Sequence, residues 1–289
     1  MSTSPAFVRE CLFTDFARLP PEALGAHRHW LARAQNFWLE WIAFGDGTGE
    51  GGATRVFESD CEMLLIAPRG VLHVSAADPA VAAADVPPHT VAILPAGRYA
   101  VAGAASAACA LIASQRGDLA GRRVLGEAAY EIPDPRIVST GRPYRRTARA
   151  GRIQVLDIDA IQASRDRPRL KMLQTETLSI NIVEYAGPRD RAALSPHAHA
   201  DFEQGSLAIA GDFVHHLRVP WDSDAGRWRD DEHLPAPSPS LLVVPVEMIH
   251  TTEGVGRGHH FLVDVFSPPR HDFIDRGWVY NAADYVRAA

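Results

Sequence analysis

Three histidines and a glutamine make the strongest case for shared chemistry in this chain. His197 and His199 are separated by one residue in Ser195-Pro-His-Ala-His-Ala-Asp-Phe-Glu-Gln204. Alternate side chains of extended backbone share a face, so the two imidazoles stand side by side. Gln204 opens a run of small and large apolar residues that ends at Gly211, and His250 follows the apolar stretch Leu241-Leu-Val-Val-Pro245. Three imidazoles and one side-chain oxygen suit a single divalent transition metal, and such a set accepts Fe, Ni, Zn, Mn or Cu. An ion held this way can polarise a carbonyl or hydroxyl oxygen as a Lewis acid.

The spacing resembles that of the cupin family. His197, His199, Gln204 and Gly211 follow its first motif, and Pro245 and His250 follow its second, with Glu247 where glycine is usual. The resemblance covers roughly residues 176 to 270. It implies a small antiparallel β-barrel holding a metal through His197, His199, Gln204 and His250. Glu203 competes with Gln204 for the fourth place, because neighbours on a strand face opposite ways and only one can reach the ion. The usual gap before Gly211 favours Gln204. An amide ligand leaves the full dication charge on the metal, which favours an anionic substrate.

Gln at this position, together with Asp264-Val-Phe-Ser-Pro-Pro-Arg270, resembles the cupins that open the ring of unsaturated uronic acids. That likeness makes Asp264 a candidate acid/base and Arg270 a candidate for binding a carboxylate. A guanidinium suits the task through its planar fork; an ordinary salt bridge is the competing role for Arg270. Asp264 lies mid-strand among apolar residues, where an unpartnered carboxylate is costly, so a site role or a partner is expected. His215 and His216 must face opposite ways. His215 is carried as a candidate acid/base, with ordinary packing as its rival.

The elements that would position these residues are strands. Thr175 to Tyr185 alternates well enough to open the second barrel, Phe213 to Val219 is the hairpin partner of the first motif, and Phe261 to Phe266 follows His250. Ser206, Ala208 and Ala210 share the face of Gln204. Their small size either leaves room for a ligand or packs a tapering barrel. Trp221 to Glu232 is an acidic loop with two tryptophans that could line the mouth. His259 and His260 read as loop residues after Gly254-Val-Gly-Arg-Gly258.

The first part of the chain also reads as β. Apolar segments at 37–44, 62–67, 70–74, 90–94 and 107–113 alternate with turn residues. Gly47, Gly49 and Gly52 match a dinucleotide-binding spacing, but a strand-like sequence follows, so no phosphate cradle is expected. Val91-Ala-Ile-Leu-Pro-Ala-Gly97 is similar to a second cupin motif with Ala100 where its histidine is expected. His27-Arg-His29 precedes a stretch of helical character and reads as a packing or surface pair. The expectation is an all-β bicupin: residues 1–120 a degenerate barrel without a metal, 121–168 a linker with one short helix near 159–164, and 169–289 the metal-binding barrel.

Composition narrows the function classes. A formal charge of −6 with no basic block argues against a nucleic-acid surface. Cys11, Cys61 and Cys109 lie far apart, as free thiols do in a reducing compartment. No leader or membrane span is visible, and a cytoplasmic protein is expected. No nucleophile elbow, Walker loop or His-Glu-x-x-His occurs. The leading expectation is a metal-dependent enzyme acting on a small oxygenated, anionic, sugar-acid-like metabolite by isomerisation, ring opening or elimination. The alternatives are an Fe-dependent cupin dioxygenase and a non-catalytic small-ligand binding or sensor protein. A homodimer is plausible because sheet edges need covering.

Overall fold

The computed structural model describes residues 10–25, 27–45 and 54–288. The glycine run at 47–52 and the extreme N-terminus lie outside them. Long apolar runs such as Met63–Arg69 and Ala108–Ala113 form strands buried on both faces, which explains why they lack a polar alternation. Two barrels result, each made of a large and a small antiparallel sheet.

In the first barrel the large sheet runs His27–Arg33, Trp38–Ala43, Ala108–Ala113, Met63–Arg69, Thr90–Leu94, with Gln154–Asp157 on its edge. The facing sheet runs Thr54–Ser59, Gly97–Gly103, Leu72–Ala76, Ala84–Val86. In the second barrel the large sheet runs Ser240–Val244, Gln204–Ala210, His259–Phe266, Ser179–Ala186, Lys171–Gln174, opposite Glu232–Pro237, Asp212–Arg218 and Ile249–Gly254. Leu12–Asp15, from the start of the chain, pairs antiparallel with Ser240–Val244 and so extends the sheet of the second barrel.

The two large sheets pack against each other. Trp41, Leu64, Ile66 and Ile112 of the first meet Ile180, Leu207, Val243 and Val263 of the second in one continuous core. A separate cluster, with Phe57, Met63, Leu65, Leu94, Tyr99 and Val101, fills the first barrel.

Several local expectations are corrected. His27 and His29 lie on the strand His27–Arg33 and not before a helix, because cross-strand pairing with Trp38–Ala43 and burial override the helical composition. Both rings are buried. No helix forms at 159–164: a turn at 158–160 follows the strand Gln154–Asp157, with the Asp157 carboxylate accepting from the Asp159 N–H. The second barrel opens earlier than 175, with Lys171–Gln174 turning through Thr175 into Ser179–Ala186. His259 and His260 begin the strand His259–Phe266. No described helix is long and apolar enough to cross a membrane.

Candidate metal centre

His197 and His199 lie on the loop leading to the strand Gln204–Ala210, and His250 sits near the start of Ile249–Gly254. Two backbone hydrogen bonds join the histidine segments: His197 N–H to His250 O at 3.1 Å and His250 N–H to His197 O at 2.8 Å. The Glu247 N–H donates to His199 O at 2.6 Å. Glu247 has φ 66, a left-handed conformation that explains why glycine suits this position. Its carboxylate pairs with Arg136.

The three rings converge, with centroids 4.5 to 5.3 Å apart, and one nitrogen of each lies within 4.8 Å of the others. Nδ1 of His197 faces Ser195 O at 2.9 Å and Nδ1 of His250 faces Met248 O at 3.0 Å. A ring donating from Nδ1 to a carbonyl keeps the Nε2 lone pair free for a metal. Burial lowers the His199 pKa to about 3 and that of His250 to about 4, so both rings are neutral at physiological pH.

Gln204 completes the set. Its Oε1 lies 2.9 Å from His199 Nε2 and 3.2 Å from His250 Nε2. Its Nε2 donates to Ser206 Oγ and to Asp264 Oδ1, both at 3.0 Å. The carboxylate therefore fixes which end of the amide faces the imidazoles. Glu203 points away, accepting from Tyr130 Oη at 2.9 Å and the Gln35 N–H at 2.7 Å. Three imidazoles and an oriented amide oxygen fit a divalent transition ion.

Asp264 also accepts from Ser206 Oγ at 2.9 Å and Asn181 Nδ2 at 3.3 Å. Burial pushes its carboxyl above the ordinary range, opposed by the hydrogen bonds from Ser206 and Asn181. Arg270 stacks on Phe273 at 3.8 Å and forks onto Asp272 at 2.8 and 2.7 Å, so it forms a salt bridge on the wall. His215 is buried next to Thr252, 2.9 Å from its hydroxyl, with Nε2 unpartnered. Burial lowers its pKa to about 3. It is not among the residues lining the cavity.

That cavity, about 710 Å³, opens over His197, Gln204, His250 and Asp264. Its walls carry Arg167, Arg169, Arg189 and Arg276 beside Arg270. Among the described residues these four have no carboxylate within ion-pair distance, whereas Arg270 has Asp272. Nε of Arg189 is buried without a partner. The sequence reading missed these arginines; Arg167 and Arg169 fall in Arg165-Asp-Arg-Pro-Arg169, part of a segment rich in Arg, Pro and Gly that reads as a connection. The small residues following Gln204 do not form the cavity. Ser206 holds the Asp264 carboxylate, and Ala208 packs against Phe213, Ala236 and Leu262. Trp221 and Trp228 stack on each other at 4.5 Å, outside the cavity walls.

Among its described residues the first barrel shows no three-histidine set like that of the second. There the strand after Pro95 pairs Tyr99 with Phe57, and both aromatic rings are buried. Two residues separate Leu94 from Gly97, whereas four separate Val244 from Ile249. The shorter turn brings Tyr99 inward and leaves Ala100, the expected histidine position, only partly buried.

Solved structures share this architecture. Lactobacillus farciminis oxalate decarboxylase in a formate complex superposes with a TM-score of 0.60 at 12% identity, over 92% of this chain and 88% of that one. A variant of Bacillus subtilis oxalate decarboxylase gives a TM-score of 0.58 at 13% identity, over 91% of this chain and 78% of that one. The fold is a bicupin. No family model matches the chain, and no curated protein matches it in sequence.

Proposed function

We propose that this bicupin is a metal-dependent enzyme that acts on a small anionic, sugar-acid-like metabolite by isomerisation, ring opening or elimination. The observation that carries the reading is the Gln204 amide, aimed at three imidazoles by Asp264 beneath a cavity walled by arginines without carboxylate partners. His197, His199, Gln204 and His250 would hold the ion. When bound, it supplies Lewis-acid polarisation of a substrate oxygen. Arg189 and Arg169 bind the anionic end of the substrate, since a desolvated guanidinium gains most from a carboxylate it can pair. Asp264, with its raised pKa and its access to the cavity, moves a proton at the polarised centre.

The solved neighbours are oxalate decarboxylases, which supports an acidic substrate. The cavity here argues for a larger one. At about 710 Å³ it falls in the range of roughly 300–1,000 Å³ that holds drug-sized molecules, far beyond the need of a two-carbon diacid.

The test pairs elemental analysis with a substrate screen. Purified protein is expected to carry an ion at this centre that His197→Ala and His250→Ala each remove. Turnover of a uronic or related sugar acid should then depend on that ion and continue without oxygen. Stoichiometric oxygen uptake would instead assign the site to dioxygenase chemistry. If neither variant carries fewer ions per chain than the wild-type protein, the assignment of ligands is overturned.

A further inference from the structure

A second cluster of metal-type donors lies away from the cavity, where the two barrels meet. His89 belongs to the first barrel, in the turn between Ala84–Val86 and Thr90–Leu94. Asp159 comes from the segment joining the barrels, and Glu184 and His259 lie on adjacent strands of the second, Ser179–Ala186 and His259–Phe266. His89 Nε2 is 2.8 Å from Glu184 Oε1, His89 Nδ1 is 3.5 Å from Asp159 Oδ2, and His259 Nε2 is 3.4 Å from the same Glu184 oxygen. One donor atom from each of His89, Asp159 and Glu184 lies within 4.8 Å of the other two.

We propose that this cluster binds a divalent transition ion that ties the two barrels together. The donor set is mixed imidazole and carboxylate, which suits ions such as Zn²⁺ or Mn²⁺. Its charge also calls for a cation. Two carboxylates meet here, that of Glu184 only 13% exposed, and neither has a lysine or arginine ion-pair partner among the described residues. The two carboxylates carry a formal charge of −2, which one dication cancels.

The backbone holds the first donor in place. His89 has φ 61, its N–H donates to Ala67 O at 2.7 Å, and its carbonyl accepts from the Ile158 N–H at 3.2 Å. The imidazole is thus presented from a turn fixed on both sides. The second hydrogen bond also brings Asp159 to the cluster. His259 is more than half exposed, so its ring is free to close on an ion next to Glu184.

The experiment loads the full-length protein with Zn²⁺, removes free metal by gel filtration, and counts ions per chain by mass spectrometry. His89→Asn keeps a residue that tolerates the left-handed backbone but is too short to reach Glu184. Glu184→Gln keeps shape while removing charge. The expected result is one ion lost in each of these variants and retained in His197→Ala, whose loss concerns the cavity site. Zn²⁺ should also raise the melting temperature of the wild-type protein more than that of His89→Asn. If neither His89→Asn nor Glu184→Gln lowers the count below that of the wild-type protein, the inter-barrel site is refuted. A cavity site that proves metal-free would not affect this result, because the ion in question would still follow His89 and Glu184.

Discussion

Replacing Asp264 separates two jobs that this carboxylate can do. In Asp264→Ala, Gln204 Nε2 loses an acceptor at 3.0 Å, Ser206 Oγ one at 2.9 Å and Asn181 Nδ2 one at 3.3 Å. Hydrogen bonds to a charged group contribute about 1.5–3 kcal/mol each. Their loss frees the Gln204 amide to rotate its NH₂ toward the imidazoles, which removes the fourth ligand. Partners that orient a metal ligand typically account for about 10- to 100-fold in affinity, so the metal Kd should rise by that factor. Asp264→Asn should behave differently. Its Oδ1 can still accept from Gln204 and Ser206, and its NH₂ can donate to Asn181 Oδ1, which has no partner in the wild-type structure, once that amide turns over. Metal affinity in Asp264→Asn should then stay within about threefold, while turnover falls about 10²- to 10⁴-fold for want of an acid/base. A chelator-competition titration gives both affinities. If Asp264→Ala binds metal as tightly as the wild-type protein, the carboxylate does not orient Gln204 and the reasoning fails.

Other perturbations test the surroundings of the site. Arg189→Gln should raise the KM for an anionic substrate about 10- to 100-fold with metal content unchanged, as expected for one charge-assisted pair; an unchanged KM would place the anion elsewhere in the cavity. Gly205→Ala puts a Cβ 2.8 Å from Phe37 Cζ, so overpacking should cost about 1–3 kcal/mol, readable by urea denaturation. Glu40 is fully buried and paired with Arg55, Arg116 and Arg122, with His29 Nδ1 at 2.8 Å. Glu40→Gln should destabilise the protein by about 3–5 kcal/mol, lowering the melting temperature by on the order of 10 °C. Burial alone would raise the Glu40 pKa, but the His29 contact and the guanidinium charges of Arg116 and Arg55 hold it well below the ordinary carboxylate range. Its contribution is therefore full above the unfolded carboxyl value and is lost as pH falls through the folded one, so the wild-type and Glu40→Gln stability curves should converge in acid.

The meeting of His197, His199 and Gln204 was legible in the sequence because the three fall close together on one loop and the first residue of its strand, and His250 stands near the start of a single later strand. Spacing on extended backbone is enough to place His197 beside His199. The arginines of the cavity were not legible for the opposite reason. Arg167, Arg169, Arg189 and Arg276 lie outside regular strands, on segments whose path follows from tertiary packing and not from any local period. His27 and His29 failed in another way: the helical composition of Trp30 to Gln35 yields to pairing with Trp38–Ala43, and burial on both faces removes the alternation that marks a strand. Ala100 shows a third limit. The motif around Pro95 was read correctly as a strand and turn, but the turn length sets which later side chain faces inward.

The first barrel supports the site in the second through contacts at the base of the strand Gln204–Ala210. Phe37 packs against the backbone of Gly205, next to Gln204, and the Gln35 N–H holds the Glu203 carboxylate on the other side. Glu203 and Gln204 point opposite ways, so anchoring Glu203 to Gln35 and Tyr130 fixes the rotation of the strand at the point where Gln204 must face the imidazoles. Glu203→Ala should therefore disturb the centre without touching it. One charge-assisted hydrogen bond to backbone and one to a phenol are lost, about 3 kcal/mol or more together. The expected outcome is a metal Kd raised about 10-fold with the three histidines intact, measured by the same chelator competition. An affinity equal to that of the wild-type protein would mean that Gln204 is positioned by Asp264 alone and that the first barrel contributes stability only.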